Sequence, residues 1–344
     1  MYRFESDYLE GCHPSILEKL QKSNFEQCLG YGEDPHCERA AEMIRCACSC
    51  PEAKVHFLVG GTQTNATVIS SILRPYQGVL CSDAGHIAVH ETGAIEHSGH
   101  KVLTLPASEG KISAAQIDSA VKAHYDDFSR EHMVQPAMVY ISFPTEYGTI
   151  YSKEELMDIK SVCSKWELPL FIDGARLGYG LESSDCRLLL KDIATIADVF
   201  YIGGTKQGAL FGEAVVFPNI KLANEFRYNI KQNGGMLAKG RLLGIQFEAL
   251  FEDGLYFRLA RKADRQAEEL TAAFQAKGIE MLVKGSTNQI FPVLTHSQIA
   301  MLSENFGFEK WQSVDKEHDA VRFCTSWATT DEAIAELKAA ISQL

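Results

Sequence analysis

At 344 residues the chain is too long for one small core, and 46% hydrophobic with 23% charged residues is ordinary globular composition, so two domains are expected. No apolar run approaches the length of a membrane span, and the first residues lack the charged and apolar regions of a signal peptide, which predicts a soluble cytoplasmic protein. A net charge of -12 without a basic block argues against nucleic acid or an anionic membrane as partner, and ten cysteines without a secretory signal predict reduced thiols.

Phe4 to Tyr8 precede Pro14 and an amphipathic helix through Leu17 and Leu20, so residues 1–20 read as an arm reaching away from the first domain, of the kind that crosses to a partner subunit. Tyr31-Gly32-Glu33-Asp34-Pro35 is a turn by composition and leads into a helix through Ala40 and Ile44. The cluster Cys46-Ala47-Cys48-Ser49-Cys50 lacks the second Cys or His set that structural zinc sites use, so no metal is expected.

Residues 55–59 form a candidate strand, followed by Gly60-Gly61-Thr62-Gln63-Thr64-Asn65 and a helix over 66–73. A glycine-rich strand-to-helix turn bares backbone N–H groups that suit a phosphate, and Thr62 and Gln63 add side-chain donors. It has neither a Walker lysine nor the full dinucleotide glycine pattern, and a plain N-cap turn is the competing reading. A strand over 79–83 opens onto a helix containing His86, His90 and Glu91. His86 lies just past a strand end, where its flat ring could stack on a heteroaromatic cofactor; His97 and His100 suit a solvent-exposed turn.

A polar helix over 114–129 leads to a strand over 138–142 and the turn Phe143-Pro144-Thr145-Glu146-Tyr147-Gly148, whose Glu146 and Tyr147 are candidates to face a ligand. After a helix over 153–166, a strand over 169–172 runs into Asp173-Gly174-Ala175-Arg176. An aspartate ending a buried strand needs a cation or donor, and a protonated pyridine nitrogen is one. Arg176 can fork onto a carboxylate, although an internal Asp173–Arg176 ion pair would also satisfy both groups.

The apolar run before Gly203-Gly204-Thr205-Lys206 fits a buried parallel strand, and ligands of open α/β sheets collect at such strand ends. A partly desolvated lysine there holds its amine neutral enough to form a Schiff base with an aldehyde, of which pyridoxal phosphate is the common example; a surface lysine is the plain alternative. Residues 211–217 return as an edge strand paired antiparallel, and helices over 220–231 and 237–251 follow, with Lys231, Lys239 and Arg241 near a glycine turn. A smaller α+β unit closes the chain: a helix over 256–277, strands over 281–284, 290–294 and 321–325, and a helix from Asp331. Arg322, flanked by Val321 and Phe323, points away from those apolar neighbours, toward either the interdomain cleft or solvent.

The Gly-Gly-Thr-Gln turn, the strand ending in Asp173-Gly174-Ala175-Arg176 and the strand ending in Gly-Gly-Thr-Lys206 stand in the order of a fold type I pyridoxal-phosphate enzyme. Over nearly its whole length, from Ser6-Asp7 and the 31–35 turn to Arg322, the chain resembles the L-threonine aldolase family within the β-eliminating lyase group. The resemblance implies an α/β fold with a large cofactor domain, here 21–253, built on a mostly parallel sheet between helices, and a small C-terminal α+β domain, here 254–344. It implies pyridoxal 5'-phosphate as cofactor, with Lys206 as Schiff-base lysine, Asp173 on the pyridine nitrogen, His86 on the ring, and Gly61, Thr62 and Gln63 at the phosphate. Ser6, Arg176 and Arg322 would hold the substrate carboxylate. A homodimer or homotetramer with shared sites is also implied, to which Tyr31 and the Lys231 region contribute. Many members have a histidine where this chain has Glu146, which makes Glu146 and His86 the candidate bases for the β-hydroxyl of the substrate. The expected reaction is cleavage of a β-hydroxy-α-amino acid to glycine and an aldehyde. Elimination or racemisation on the same cofactor, and an α/β binding protein without turnover, are the alternatives.

Overall fold

The computed structural model describes all residues, Met1–Leu344. Its strands, in chain order, are β1 (Tyr2–Arg3), β2 (Lys54–Leu58), β3 (Gln77–Ser82), β4 (Lys101–Leu105), β5 (Gln135–Ser142), β6 (Leu170–Asp173), β7 (Val199–Gly203), β8 (Glu213–Phe217), β9 (Gln289–Ile290), β10 (Val293–Thr295), β11 (Phe306–Gly307), β12 (Glu309–Ser313) and β13 (His318–Cys324). Seven of them form one sheet in the order β2-β8-β7-β6-β5-β3-β4. The pairs among β3 to β7 are parallel, and β8 runs antiparallel to both β7 and β2.

Strands β6, β7 and β8 are buried at every residue, as expected where helices cover both faces of a sheet. Alternation sorts their side chains: Ile172, Phe200, Ile202 and Val216 join one core, while Phe171, Val199, Tyr201, Val215 and Phe217 join the core on the other face. The fold is therefore the α/β fold expected, a mostly parallel sheet between helix layers.

A third core gathers Leu270, Phe274, Ile290, Leu294, Val321, Phe323, Ile334 and Leu337 around the antiparallel strands β10, β13 and β12. Helix Leu255–Ala276 spans both units, placing Tyr256 and Leu259 in the large core and Leu270 and Phe274 in the small one.

Several local expectations change. Strand β8 is not an edge, because β2 pairs along its outer side, with Leu58 and Gly203 both opposite Glu213. The helix expected over 220–231 is a 3-10 turn, Ile220–Ala223, followed by helix Phe226–Gln232, with Glu225 between them at φ 55° in the left-handed region that ends a helix. Residues 281–284 form only one bridge, Met281 to Pro292.

Residues 1–20 do not form one arm. Strand β1 pairs in parallel with β11, Phe4 O accepts from Cys324 N at 2.8 Å, and Phe4 is buried in the third core. Helix Pro14–Lys22 instead places Ile16 in the large core. The segment therefore crosses to the C-terminal unit of its own chain, and Ser6 and Asp7 are carried between the two units, where both are buried.

Candidate active site

The parallel strands deliver their C-terminal ends to one edge of the sheet. Ser142 of β5 lies opposite Asp173 of β6, and the loops after β5, β6 and β7 carry Glu146, Arg176 and Lys206 respectively. Strand β2 runs the other way from β8, so Leu58 ends at the same edge as Glu213, and helix Gly61–Ile72 starts there.

Asp173 is buried and accepts four hydrogen bonds. Tyr201 OH donates to Oδ1 at 2.6 Å and Ala175 N at 2.9 Å; Tyr140 OH and Asn65 Nδ2, the latter at 3.2 Å, donate to Oδ2. Burial, then the charge of Asp173, pushes both tyrosine hydroxyls far up, so they remain neutral donors. Gly174 is needed because a Cβ there would lie 1.9 Å from Tyr201 O.

The alternative ion pair between Asp173 and Arg176 is not formed. Arg176 Nε and Nη2 donate to Asp7 Oδ2 and Oδ1 at 2.7 and 3.1 Å, and Asn288 Nδ2 donates to the same Asp7 at 2.8 Å. Burial alone would raise the Asp7 carboxyl, but Arg176 and Lys206 hold it below its usual range. The other edge of the guanidinium faces Glu146, whose Oε2 is 4.0 Å from Nη1.

Lys206 lies with its Nζ 5.9 Å from the centroid of the Tyr8 ring and joins none of the chain's ion pairs or hydrogen bonds through that atom. Burial, then the charge of Arg176, lowers its pKa against the opposing pull of Asp7, Glu146 and Asp173. Its backbone is pinned: Tyr179 OH donates to Lys206 O at 2.7 Å, and Glu213 accepts from Gly204 N at 3.1 Å and Thr205 Oγ1 at 2.9 Å.

His86 opens a single helical turn, His86–Val89, rather than the longer helix expected, so Glu91 falls beyond it and folds back onto the ring. Glu91 Oε1 meets His86 Nδ1 at 2.7 Å and accepts from Asn65 Nδ2 at 2.7 Å. Burial would lower the His86 pKa; the Glu91 hydrogen bond, helped by Glu146 and Asp173, outweighs it and raises the pKa. An unbroken polar chain thus runs from His86 through Glu91 and Asn65 to Asp173.

The first turn of helix Gly61–Ile72 has no side-chain cap and no acidic residue. The amides of Gly61, Thr62 and Gln63 precede the first intrahelical bond, from Thr64 N to Gly60 O. Gln63 braces this turn, accepting from Val59 N at 3.3 Å and donating to Asn233 O at 3.0 Å, so its side chain is structural while its amide stays free. Gly61 leaves room beside Tyr201, whose hydroxyl would be 3.2 Å from a Cβ. A lysine without a counter-ion, a buried carboxylate and an uncapped helix start at one sheet edge are the donor and acceptor set that pyridoxal phosphate requires, so the residues present fit that group.

Arg322 comes to the cleft side of the small sheet. Its Nη2 donates to Glu5 O at 3.1 Å and to Glu309 Oε2, and its guanidinium lies 5.2 Å from the centroid of the Trp311 ring. Ser6, next to Asp7, is buried beside it. Tyr31 is not brought to this site: it lies on the surface under Lys231 Nζ, 4.9 Å from its ring, with Arg227 donating to its carbonyl at 3.2 Å. Asp7, Asn65, Glu91, Tyr140, Tyr201 and Glu213 were given no site role from sequence. The available signal was an acid or a tyrosine inside an otherwise apolar run, as at Tyr140, Tyr201 and Glu213, since such groups need a buried partner.

Comparison with known proteins agrees in one direction. The sequence model described as Beta-eliminating lyase matches residues 4–297. A low specificity L-threonine aldolase of Pseudomonas sp. (strain NCIMB 10558) is 31% identical over 342 residues, covering 98% of this chain and 96% of the relative. Its counterpart in Pseudomonas aeruginosa is 29% identical, covering 97% and 95%. The solved threonine aldolase of Leishmania major superposes with TM-score 0.97 at 44% identity, covering 100% of this chain and 99% of that one. An aspartate aminotransferase mutant from Thermus thermophilus superposes at 0.73 with 13% identity, covering 100% and 91%, a likeness of fold alone.

Proposed function

The chain belongs to the β-eliminating lyase family, and from that premise we propose that it is a pyridoxal-phosphate-dependent carbon–carbon lyase cleaving the Cα–Cβ bond of a β-hydroxy-α-amino acid, of the threonine or allo-threonine type or bulkier, to glycine and an aldehyde. The relatives named as threonine aldolases support the reaction. The observation that carries the site is Lys206, a half-buried lysine whose pKa desolvation lowers and which has no counter-ion, at the same sheet edge as Asp173.

When bound, pyridoxal phosphate supplies an aldehyde for the substrate amine and a protonated ring that draws electrons from the breaking bond. Lys206 would hold it through its amine, Asp173 would face its ring nitrogen, and the His86 ring would lie against it. The amides of Gly61, Thr62 and Gln63 would hold its phosphate. Asp7 fixes one edge of Arg176, which leaves the other edge for the substrate carboxylate, with Arg322 and Ser6 beside it. Holding the carboxylate fixes which Cα bond is aligned for cleavage. Glu146 is the group we assign to take the β-hydroxyl proton: His86 has its Nδ1 engaged by Glu91 and its ring would lie against the cofactor, whereas the Glu146 carboxylate meets only Arg176, at 4.0 Å.

A homodimer or homotetramer sharing its sites belongs to the same proposal. Its support is an exposed apolar surface, with Phe25 at 93%, Tyr228 at 77% and Leu29 at 71% exposure, and the nearby pairing of Lys231 with Tyr31. A cytoplasmic location is supported by ten cysteines that are all free, and no helix is long and apolar enough to cross a membrane.

The test is an absorbance spectrum of the purified protein with glycine, L-threonine and L-allo-threonine added in turn, with aldehyde followed in the same cuvette. A substrate-dependent shift accompanied by aldehyde is expected. A shift with keto acid and ammonia, or with inverted amino acid, would replace the aldolase reading by elimination or racemisation.

A further inference from the structure

Tyr140 and Tyr201 rise from the two strands that flank β6. Tyr140 pairs with Phe171 across β5 and β6, and Phe171 pairs with Val199 across β6 and β7, so the next alternate residue, Tyr201, comes level with Asp173. Both tyrosines and Phe171 belong to one core, and alternation puts the Asp173 side chain on that same face. The Phe171 ring is wedged between the other two, its centroid 5.5 Å from that of Tyr140 and 6.2 Å from that of Tyr201. Packing therefore holds both rings, and each hydroxyl reaches a different oxygen of the carboxylate.

Neither hydroxyl has another acceptor in the structure. A buried hydroxyl costs stability unless it is paired, and a buried acid costs more, so this set is a poor way to fill a core. Phenylalanine at both positions would pack the same face, which leaves the carboxylate as the reason for the hydroxyls. Asn65 is a looser donor to the same acid: its Nδ2 is 3.2 Å from Asp173 Oδ2 and 2.7 Å from Glu91 Oε1, so it is shared. Burial first, and then Asp173, keeps both tyrosines protonated, so they donate to the acid and do not take a proton from it. Hydrogen bonds donated to a carboxylate favour its ionised form. Tyr201 also borders the turn that suits a phosphate, since a Cβ on Gly61 would lie 3.2 Å from its hydroxyl.

We propose that Tyr140 and Tyr201 are positioning residues for the cofactor: acting through Asp173, they keep the shared proton on the pyridine nitrogen and so keep the ring an electron acceptor. The assignment rests on pyridoxal phosphate as the cofactor and is independent of which bond of the amino acid is cleaved. With both hydroxyls in place the carboxylate holds that proton less tightly than the ring does. With one removed, the balance moves toward Asp173 and a neutral ring.

The experiment loads full-length wild type, Tyr140→Phe, Tyr201→Phe and the double variant with pyridoxal phosphate isotopically labelled at the ring nitrogen, and reads that nitrogen by NMR. Each single variant should move the resonance part of the way from the protonated toward the neutral ring, and the double variant further. In each single variant kcat for aldehyde release should fall about tenfold while KM for L-threonine stays within about threefold. A cofactor analogue with carbon in place of the ring nitrogen should bind wild type and variants within about twofold of one another, since it has no proton to share. A merely structural role for the hydroxyls would lower the melting temperature and leave the resonance at its wild-type position, and that result would overturn the proposal. Equal weakening of the natural cofactor and its carbon analogue would overturn it too, because the effect would then bypass the ring nitrogen. The two tyrosines stand on different strands, so a folding failure in one variant leaves the other to decide. A wild type that loads no pyridoxal phosphate overturns the cofactor reading and this assignment together. A wild type that loads it but releases keto acid in place of aldehyde overturns the aldolase reading alone, and the resonance still decides the tyrosines.

Discussion

Asp7 and Arg176, 169 residues apart in sequence, meet in a two-pronged ion pair at 2.7 and 3.1 Å, buried between the two units of the fold. The pair ties the N-terminal segment to the strand end that also carries Asp173, and it sets which edge of Arg176 remains open. Asp7→Asn would leave the guanidinium buried without its counter-charge. Stability should fall by about 3–5 kcal/mol, and KM for the amino acid should rise as Arg176 loses its fixed orientation. Denaturant melts and steady-state kinetics read the two effects separately. The folded pKa of Asp7 is depressed, so its contribution is present above the unfolded value and is lost as pH falls through the folded one. The variant should accordingly lose less stability than wild type between about pH 4 and more acid solution.

Lys206→Ala should abolish both the visible cofactor band and aldehyde release while leaving the fold intact, since Nζ holds no structural partner. The lowered pKa of Lys206 means that its neutral amine is populated at lower pH than in a solvent-exposed lysine. Uptake of pyridoxal phosphate by cofactor-free protein should therefore reach its plateau at a lower pH than the same reaction with a free alkylamine. A plateau at the pH of the free amine would count against the desolvated lysine.

Glu91 holds the His86 ring at Nδ1 and raises its pKa against the opposing effect of burial. In Glu91→Gln the hydrogen bond that raises the histidine is weakened while burial still lowers it, so the His86 pKa should drop below that of wild type. A histidine NMR titration measures this directly. The linkage has the matching sign: the stability contributed by His86 is present below its unfolded pKa of roughly 6.5 and is lost as pH rises through the folded value, so the variant should show a flatter decline above neutrality. Identical titration curves would mean that the Glu91 contact does not set the charge of the ring.

Glu213 is pushed up to about 8, by burial first, against the stabilising donors Thr205 and Gly204 and the charge of Lys206. Between its unfolded value and about 8, the folded protein keeps a proton that the unfolded chain has released. Stability should therefore decline with rising pH across that window, at up to about 1.4 kcal/mol per pH unit from this group. Glu213→Gln should remove that slope and be more stable than wild type at pH 8, which melting curves at several pH values would show. A steeper slope in the variant would reverse the assignment.

The strand ends were legible because the chemistry sits next to the pattern that makes the strand. Apolar runs stop at Asp173 and before Lys206, and a parallel sheet sends both stops to one edge, so Asp173, Arg176, Lys206, Glu146 and His86 could be placed together from local spacing. The glycine turn after β2 was legible for the same reason, although the helix begins at Gly61 itself and the side chain of Gln63 braces the turn.

The candidate groups and the sheet edge they share can be read from neighbouring residues, because hydrophobic periodicity and turn chemistry are written locally. Which group partners which is set by packing between distant segments. Arg176 takes Asp7 rather than Asp173, Asp173 takes Tyr140 and Tyr201, His86 takes Glu91, and Gln289 is left with an unused donor beside Arg322. Those pairings depend on strand order, on β2 covering β8, and on the first residues joining the C-terminal sheet. Each is fixed by burial of surfaces far apart in the chain, and a buried polar group takes whichever complementary group that packing brings within about 3 Å.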